Sequence, residues 1–108
     1  MKKLLVIVYP DMNDVEYTNT MVVFGFVKEL QTVIYHPNLS TVKGSNGVTL
    51  VNQITSKVNL EEFDGVFIPG GMGATKVLDH DQQLLDTIRY FKDHDKYVFA
   101  ICDTPNVL

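Results

Sequence analysis

Residues Leu4–Tyr9, Leu-Leu-Val-Ile-Val-Tyr, form an unbroken apolar run with no polar alternation. A strand with one wet face alternates. A run of this length that does not alternate reads as a strand covered on both faces, as in parallel sheets layered between helices. The signal recurs along the chain. Thr32–His36 is β-branched and closes at Pro37-Asn38, Gly65–Pro69 is short and ends at Gly70-Gly71, and Tyr97–Ile101 is again apolar.

Helical spacing separates these runs. Between Val15 and Leu30 the residues Val15, Val22, Val23, Phe26, Val27 and Leu30 recur at the interval of one helix face, behind turn and cap residues Asp11–Asp14. Leu84, Leu85, Ile88 and Phe91 mark a second helix, with Asp79 and Gln82 as a capping box. Val42–Leu50 holds two short strand-like pieces around Gly44 and Gly47, the pattern of a small hairpin or β-arm. Asn59–Phe63 reads as one capped helical turn. The alternation predicts an α/β fold, an open parallel sheet with helices on both faces and a small β-arm. At 108 residues the chain is one domain at most, and no repeat, linker or low-complexity segment divides it.

Charge and cysteine usage narrow the partners. A net charge of −4, with lysines scattered rather than clustered, argues against nucleic acid. The single cysteine, Cys102, forms no internal disulfide, which points to a reducing compartment. Lys2-Lys3 precede an apolar stretch that stops at Pro10, too short for a signal peptide, and no run reaches the length of a membrane span. The expectation is a cytoplasmic protein without a membrane partner.

In open α/β sheets functional groups gather where strands end. The last strand runs into Cys102-Asp103-Thr104, and Pro105 then opens a helix. A reactive side chain on a tight strand-to-helix turn is the grammar of a nucleophile elbow, known mostly for serine but equally suited to a thiol. Unpaired N–H groups at a helix start favour the thiolate. The competing reading is a buried, inert cysteine. Glu16 follows the first strand, where a carboxyl group would hydrogen-bond the sulfur and shuttle a proton; the plainer reading is an acid in a helix first turn. Asp11 and Asp14 are explained by turn and capping roles.

Pro69-Gly-Gly-Met-Gly-Ala74 does not make a dinucleotide fingerprint, because its third glycine is missing and no glycine follows the first strand. Two readings stay open for it. The Gly71 N–H would pair with that of Asp103 around a developing oxyanion, or the glycines would serve only a tight turn. His36, His80 and His94 read as surface or capping residues. No histidine pair has metal-ligand spacing, so neither metal nor cofactor is expected.

These strand ends, in this order, resemble the ThiJ/PfpI superfamily, which has the class I glutamine-amidotransferase-like, flavodoxin-like fold. The resemblance is carried by Tyr9–Glu16, by the glycine-containing arm Val42–Gly47, by Phe63–Ala74 with its Pro-Gly-Gly, and by Ala100-Ile-Cys-Asp-Thr-Pro105. It implies a homodimer with Cys102 as nucleophile and Glu16 as its acidic partner. The implied activity is glyoxalase- or deglycase-like, or related hydrolase or hydratase chemistry, on a small carbonyl compound. The alternative it implies is a non-catalytic oxidative-stress sensor or chaperone-like protein with Cys102 as a redox-sensitive thiol. Thr104 stands where many members carry glycine. Members of the superfamily continue past the elbow to a further histidine, so residues 1–108 are expected to be a single domain lacking its C-terminal part.

Overall fold

The computed structural model describes residues 2–44, 47, 49–70 and 82–100. Its elements, in chain order, are β1 (Lys2–Ile7), α1 (Asp14–Gly25), β2 (Leu30–Tyr35), β3 (Val42–Lys43), β4 (Leu50–Val51), a 3₁₀ turn (Leu60–Glu62), β5 (Gly65–Ile68), α2 (Gln82–Asp93) and β6 (Tyr97–Ala100).

The apolar runs do become parallel strands. The sheet order is β2-β1-β5-β6, with β1 parallel to both β2 and β5, and β5 parallel to β6. Leu5, Val6, Ile7, Val66, Phe67 and Ile68 are fully buried, as strands covered on two sides must be. From β1 the chain crosses outward to β2; from β5 it crosses in the opposite direction to β6. Right-handed crossovers in opposite directions put α1 and α2 on opposite faces of the sheet. The change of direction also leaves a crevice at the carboxyl ends of β1 and β5, the topological switch point of such sheets.

The two helices meet the sheet differently. α2 buries Leu84, Ile88 and Phe91 of the face expected from the sequence, while Leu85 is only half-buried; residues 79–81, part of the expected capping box, lie outside the described residues. α1 turns the other way from expectation. Tyr17 is buried, Met21 and Phe24 pack against the core, and the Phe24 ring meets Phe67 edge-on at 5.5 Å. Val15, Val22, Val23, Phe26 and Val27 face outward instead, with Phe26 82% exposed. The helix also ends earlier, at Gly25, and Leu30 opens β2.

The arm forms as expected, with β3 and β4 antiparallel through Val42↔Val51 and Lys43↔Leu50. Among the described residues, no helix is long and apolar enough to cross a membrane.

Candidate functional site

The switch-point crevice is built by stitching the exit of β1 to the exit of β5. After β1 the chain tightens at once. Met12 N–H donates to the Tyr9 carbonyl, and Asp11 takes a left-handed φ of 67° to make the bend. Tyr9 is fully buried, and its phenol donates to the Pro69 carbonyl at 2.5 Å. Asn13 N–H donates to the Gly70 carbonyl at 2.7 Å. Two hydrogen bonds therefore hold the Pro69-Gly70 backbone against the loop that opens α1.

Asn13 then caps the helix. Its Oδ1 accepts from Val15 N–H and Glu16 N–H, each at 3.0 Å. A capping oxygen at this place satisfies donors that the first helical turn leaves open and fixes where that turn begins. Glu16 thus sits in a first turn whose start is set by a cap that is itself bonded to the β5 exit. One carboxyl oxygen of Glu16, Oε2, is withdrawn from solvent.

Of the four site residues expected from sequence, the structure describes Glu16 and places it at the switch point. Cys102, Gly71 and Asp103 lie outside the described residues. The described residues nearest to them in sequence are Gly70 and Ala100. Ala100 pairs with Ile68, and Gly70 closes the described part of the β5 exit.

Two polar residues have roles that sequence reasoning missed. Asp14, expected to cap or turn, is the first residue of α1 and is only 3% exposed. Its Oδ2 accepts from Thr49 N–H in the arm at 2.8 Å. His36, expected at the surface or as a cap, is buried, and the capping part of that expectation is met. Its Nδ1 accepts from the backbone N–H groups of Asn38 and Leu39, each at 3.0 Å. A glycine at the point where the arm meets Asp14, Gly44, was the available signal for the first. Pro37-Asn38 after a strand was the signal for the second.

A cavity of about 190 Å³ lies beside this region, lined by Tyr17, Ile34 and residues 49–53 of the arm and its exit. Burial pushes the Tyr17 phenol above its ordinary pKa. Among the described residues, no three His, Cys, Asp or Glu side chains converge in a way that could hold a metal ion.

The profile of the DJ-1/PfpI family matches residues 2–108, all but one residue of the chain. The chain belongs to the DJ-1/PfpI family. It is similar to Uncharacterized protein MG029 of Mycoplasma genitalium, 65% identical over 108 residues, covering all of this chain and 58% of the relative. It is 32% identical to Protein/nucleic acid deglycase 2 of Escherichia coli, covering 99% of this chain and 63% of that protein. Among solved structures, Drosophila melanogaster DJ-1beta superposes with a TM-score of 0.85 at 27% identity, covering 99% of this chain and 58% of that one. The chain therefore spans about three fifths of the length of these relatives. Family membership supports the sheet order and the sandwich of helices described above.

Proposed function

We propose that this DJ-1/PfpI chain contributes a cysteine-dependent site for a small carbonyl compound, with Cys102 as nucleophile and Glu16 as its proton-transfer partner. The observation that carries the reading is the position of Glu16. Its carboxyl, one oxygen buried, stands in the first turn of α1 at the switch point, and the cap of that turn is bonded to Gly70. Gly71 and Asp103 would supply backbone N–H groups to the oxygen that gains charge. A relative named Protein/nucleic acid deglycase 2 supports deglycase-related chemistry as the place to look.

On an α-oxoaldehyde, the Cys102 sulfur adds to the aldehyde carbon and the carbonyl oxygen becomes an alkoxide, which takes a proton to give a hemithioacetal. Glu16 removes the proton from that carbon and returns it to the adjacent carbon, while the hemithioacetal hydroxyl proton passes to the adjacent carbonyl oxygen, leaving the thioester of a 2-hydroxy acid. Water then cleaves the thioester, releasing the acid and restoring the thiol. Atoms balance with water as co-reactant, and no cofactor enters.

The test compares loss of methylglyoxal by the chain, by Cys102→Ser and by Glu16→Gln. The reading expects turnover that Cys102→Ser abolishes and Glu16→Gln lowers by about 10²-fold or more. Turnover that survives Cys102→Ser overturns it. If nothing turns over but mild peroxide adds two oxygens to Cys102, and Glu16→Gln prevents that, the sensor reading replaces it.

The homodimer implied by the family has a surface available on this chain. Val22 and Val23 of α1, with Phe26 and Val27 just past its end, form an apolar, exposed stripe on the side of the helix away from the core. A second copy laid against it would bury a patch that a lone chain leaves in water.

A further inference from the structure

We infer that Asp14 is a positioning residue of the candidate site: its buried carboxylate latches the β3–β4 arm onto the helix turn that presents Glu16. The inference rests on the proposed role of Glu16 and adds a residue and an element to it.

Three contacts carry it. Asp14 Oδ2 accepts from Thr49 N–H at 2.8 Å, across 35 residues of sequence. Gly44 closes on the same carboxylate from the other strand of the arm; a Cβ there would collide with Asp14 Oδ1. Beside them, Asp11 N–H donates to the Lys43 carbonyl at 3.0 Å. The arm itself is short. Each strand has two residues, closed by Gly44 N–H to the Thr49 carbonyl at 3.0 Å. A two-stranded ribbon of this size is marginal by itself and takes its position from what it is tied to. Here it is tied to Asp11 and Asp14, inside the loop and first turn that end at Glu16.

The carboxylate suits the task. It lies at a helix N-terminus, where the backbone dipole stabilises negative charge. A charged acceptor also holds an N–H more firmly than a neutral one. With the latch closed, arm and Glu16 move as one body. With it open, the Thr49 side of the arm loses its hold on the Glu16 turn, while Asp11 still holds Lys43.

The test uses the full chain, in which Cys102 is the single cysteine and alkylation by iodoacetamide therefore reports one sulfur. Asp14→Ala and Asp14→Asn remove the same charge, but only asparagine keeps an oxygen that can accept from Thr49 N–H. The inference expects Thr49 amide exchange to rise about tenfold or more in Asp14→Ala and to stay near wild type in Asp14→Asn. It also expects the pH midpoint of Cys102 alkylation to differ between the two variants by about half a unit or more. Gly44→Ala should resemble Asp14→Ala in Thr49 exchange. Ile88→Val, a core change in α2, should move neither.

Thr49 protection that survives Asp14→Ala overturns the latch. Equal alkylation midpoints in Asp14→Ala and Asp14→Asn, with Thr49 released only in the first, reduce Asp14 to a brace and overturn the positioning role. A wild-type midpoint that Glu16→Gln leaves unmoved overturns the functional reading instead. It takes the positioning role with it and is told apart by the intact Thr49 difference.

Discussion

The Tyr9 phenol donates to the Pro69 carbonyl at 2.5 Å, joining the exit of β1 to the exit of β5 across 60 residues of sequence. The bond is buried, so water does not replace it when it is lost. Tyr9→Phe keeps the ring and its packing but removes the donor. The expected cost is about 1–2 kcal/mol of stability, read as a lower urea midpoint at unchanged slope. The Asn13 to Gly70 bond stays, so the fold should survive.

Gly65 marks a second tight place. A Cβ on Gly65 would stand 3.0 Å from both the Tyr97 Cβ and the Tyr97 carbonyl oxygen. One of those neighbours is backbone, held in register by the Gly65↔Tyr97 pairing, and cannot turn aside. Gly65→Ala should therefore part β5 from β6 and destabilise the chain by about 1–3 kcal/mol. Thermal unfolding checks this. An alanine variant as stable as the parent would show that β6 shifts freely.

The parallel sheet was legible because burial on both faces leaves a direct mark, runs such as Leu4–Tyr9 without alternation. The inner face of α1 was not. That helix carries two apolar stripes at helical spacing, Tyr17-Met21-Phe24 and Val15-Val22, the second continued by Phe26 at its cap, and periodicity alone does not choose between them. Its Asn13 cap and the Asp14 tie to the arm rotate the first stripe onto Phe67. The position of Glu16, in the helix first turn that follows β1, was legible from its place after a strand. The role of Asp14 was hidden, because its partner is a backbone N–H far along the chain and backbone donors have no sequence signature. Gly44, open to close approach, was the trace it left.

His36 makes a prediction about a proton. Its Nδ1 accepts from Asn38 N–H and Leu39 N–H, each at 3.0 Å, so that nitrogen carries no hydrogen. The ring hydrogen belongs on Nε2. Two-bond ¹H–¹⁵N correlation spectra at neutral pH should show the Nε2–H tautomer for His36. His36→Ala strips both N–H groups of their acceptor at the end of β2 and should cost about 1–3 kcal/mol.

The outward apolar stripe along α1 and just past its end predicts association. Phe26 is 82% exposed and Val22, Val23 and Val27 lie beside it. If two copies pair there, Phe26→Asp places a charge where the partner's apolar surface would desolvate it. Sedimentation should then show concentration-dependent dimerisation of the parent chain and a shift to monomer in Phe26→Asp. The variant's thermal stability as a monomer should barely change, because the side chain is largely in water already. A parent that stays monomeric at high concentration would leave the stripe without this role.

Tyr17 gives the pH dependence. It is buried beside the arm, and desolvation raises its pKa above the ordinary 10.0. The raised value means that the folded chain holds the phenolic proton more tightly than the unfolded chain does. The stabilisation linked to that proton is complete below the unfolded value and is lost as pH climbs through the folded one. Urea midpoints of the parent chain should therefore hold steady to about pH 10 and fall above it. Tyr17→Phe keeps the ring in place and removes the ionisation, so its midpoints should fall less over the same alkaline range. The difference between the two curves isolates Tyr17 from the other tyrosines and lysines that titrate there. Parallel curves would show that the phenol ionises as easily folded as unfolded, and that the wall between α1 and the arm admits water.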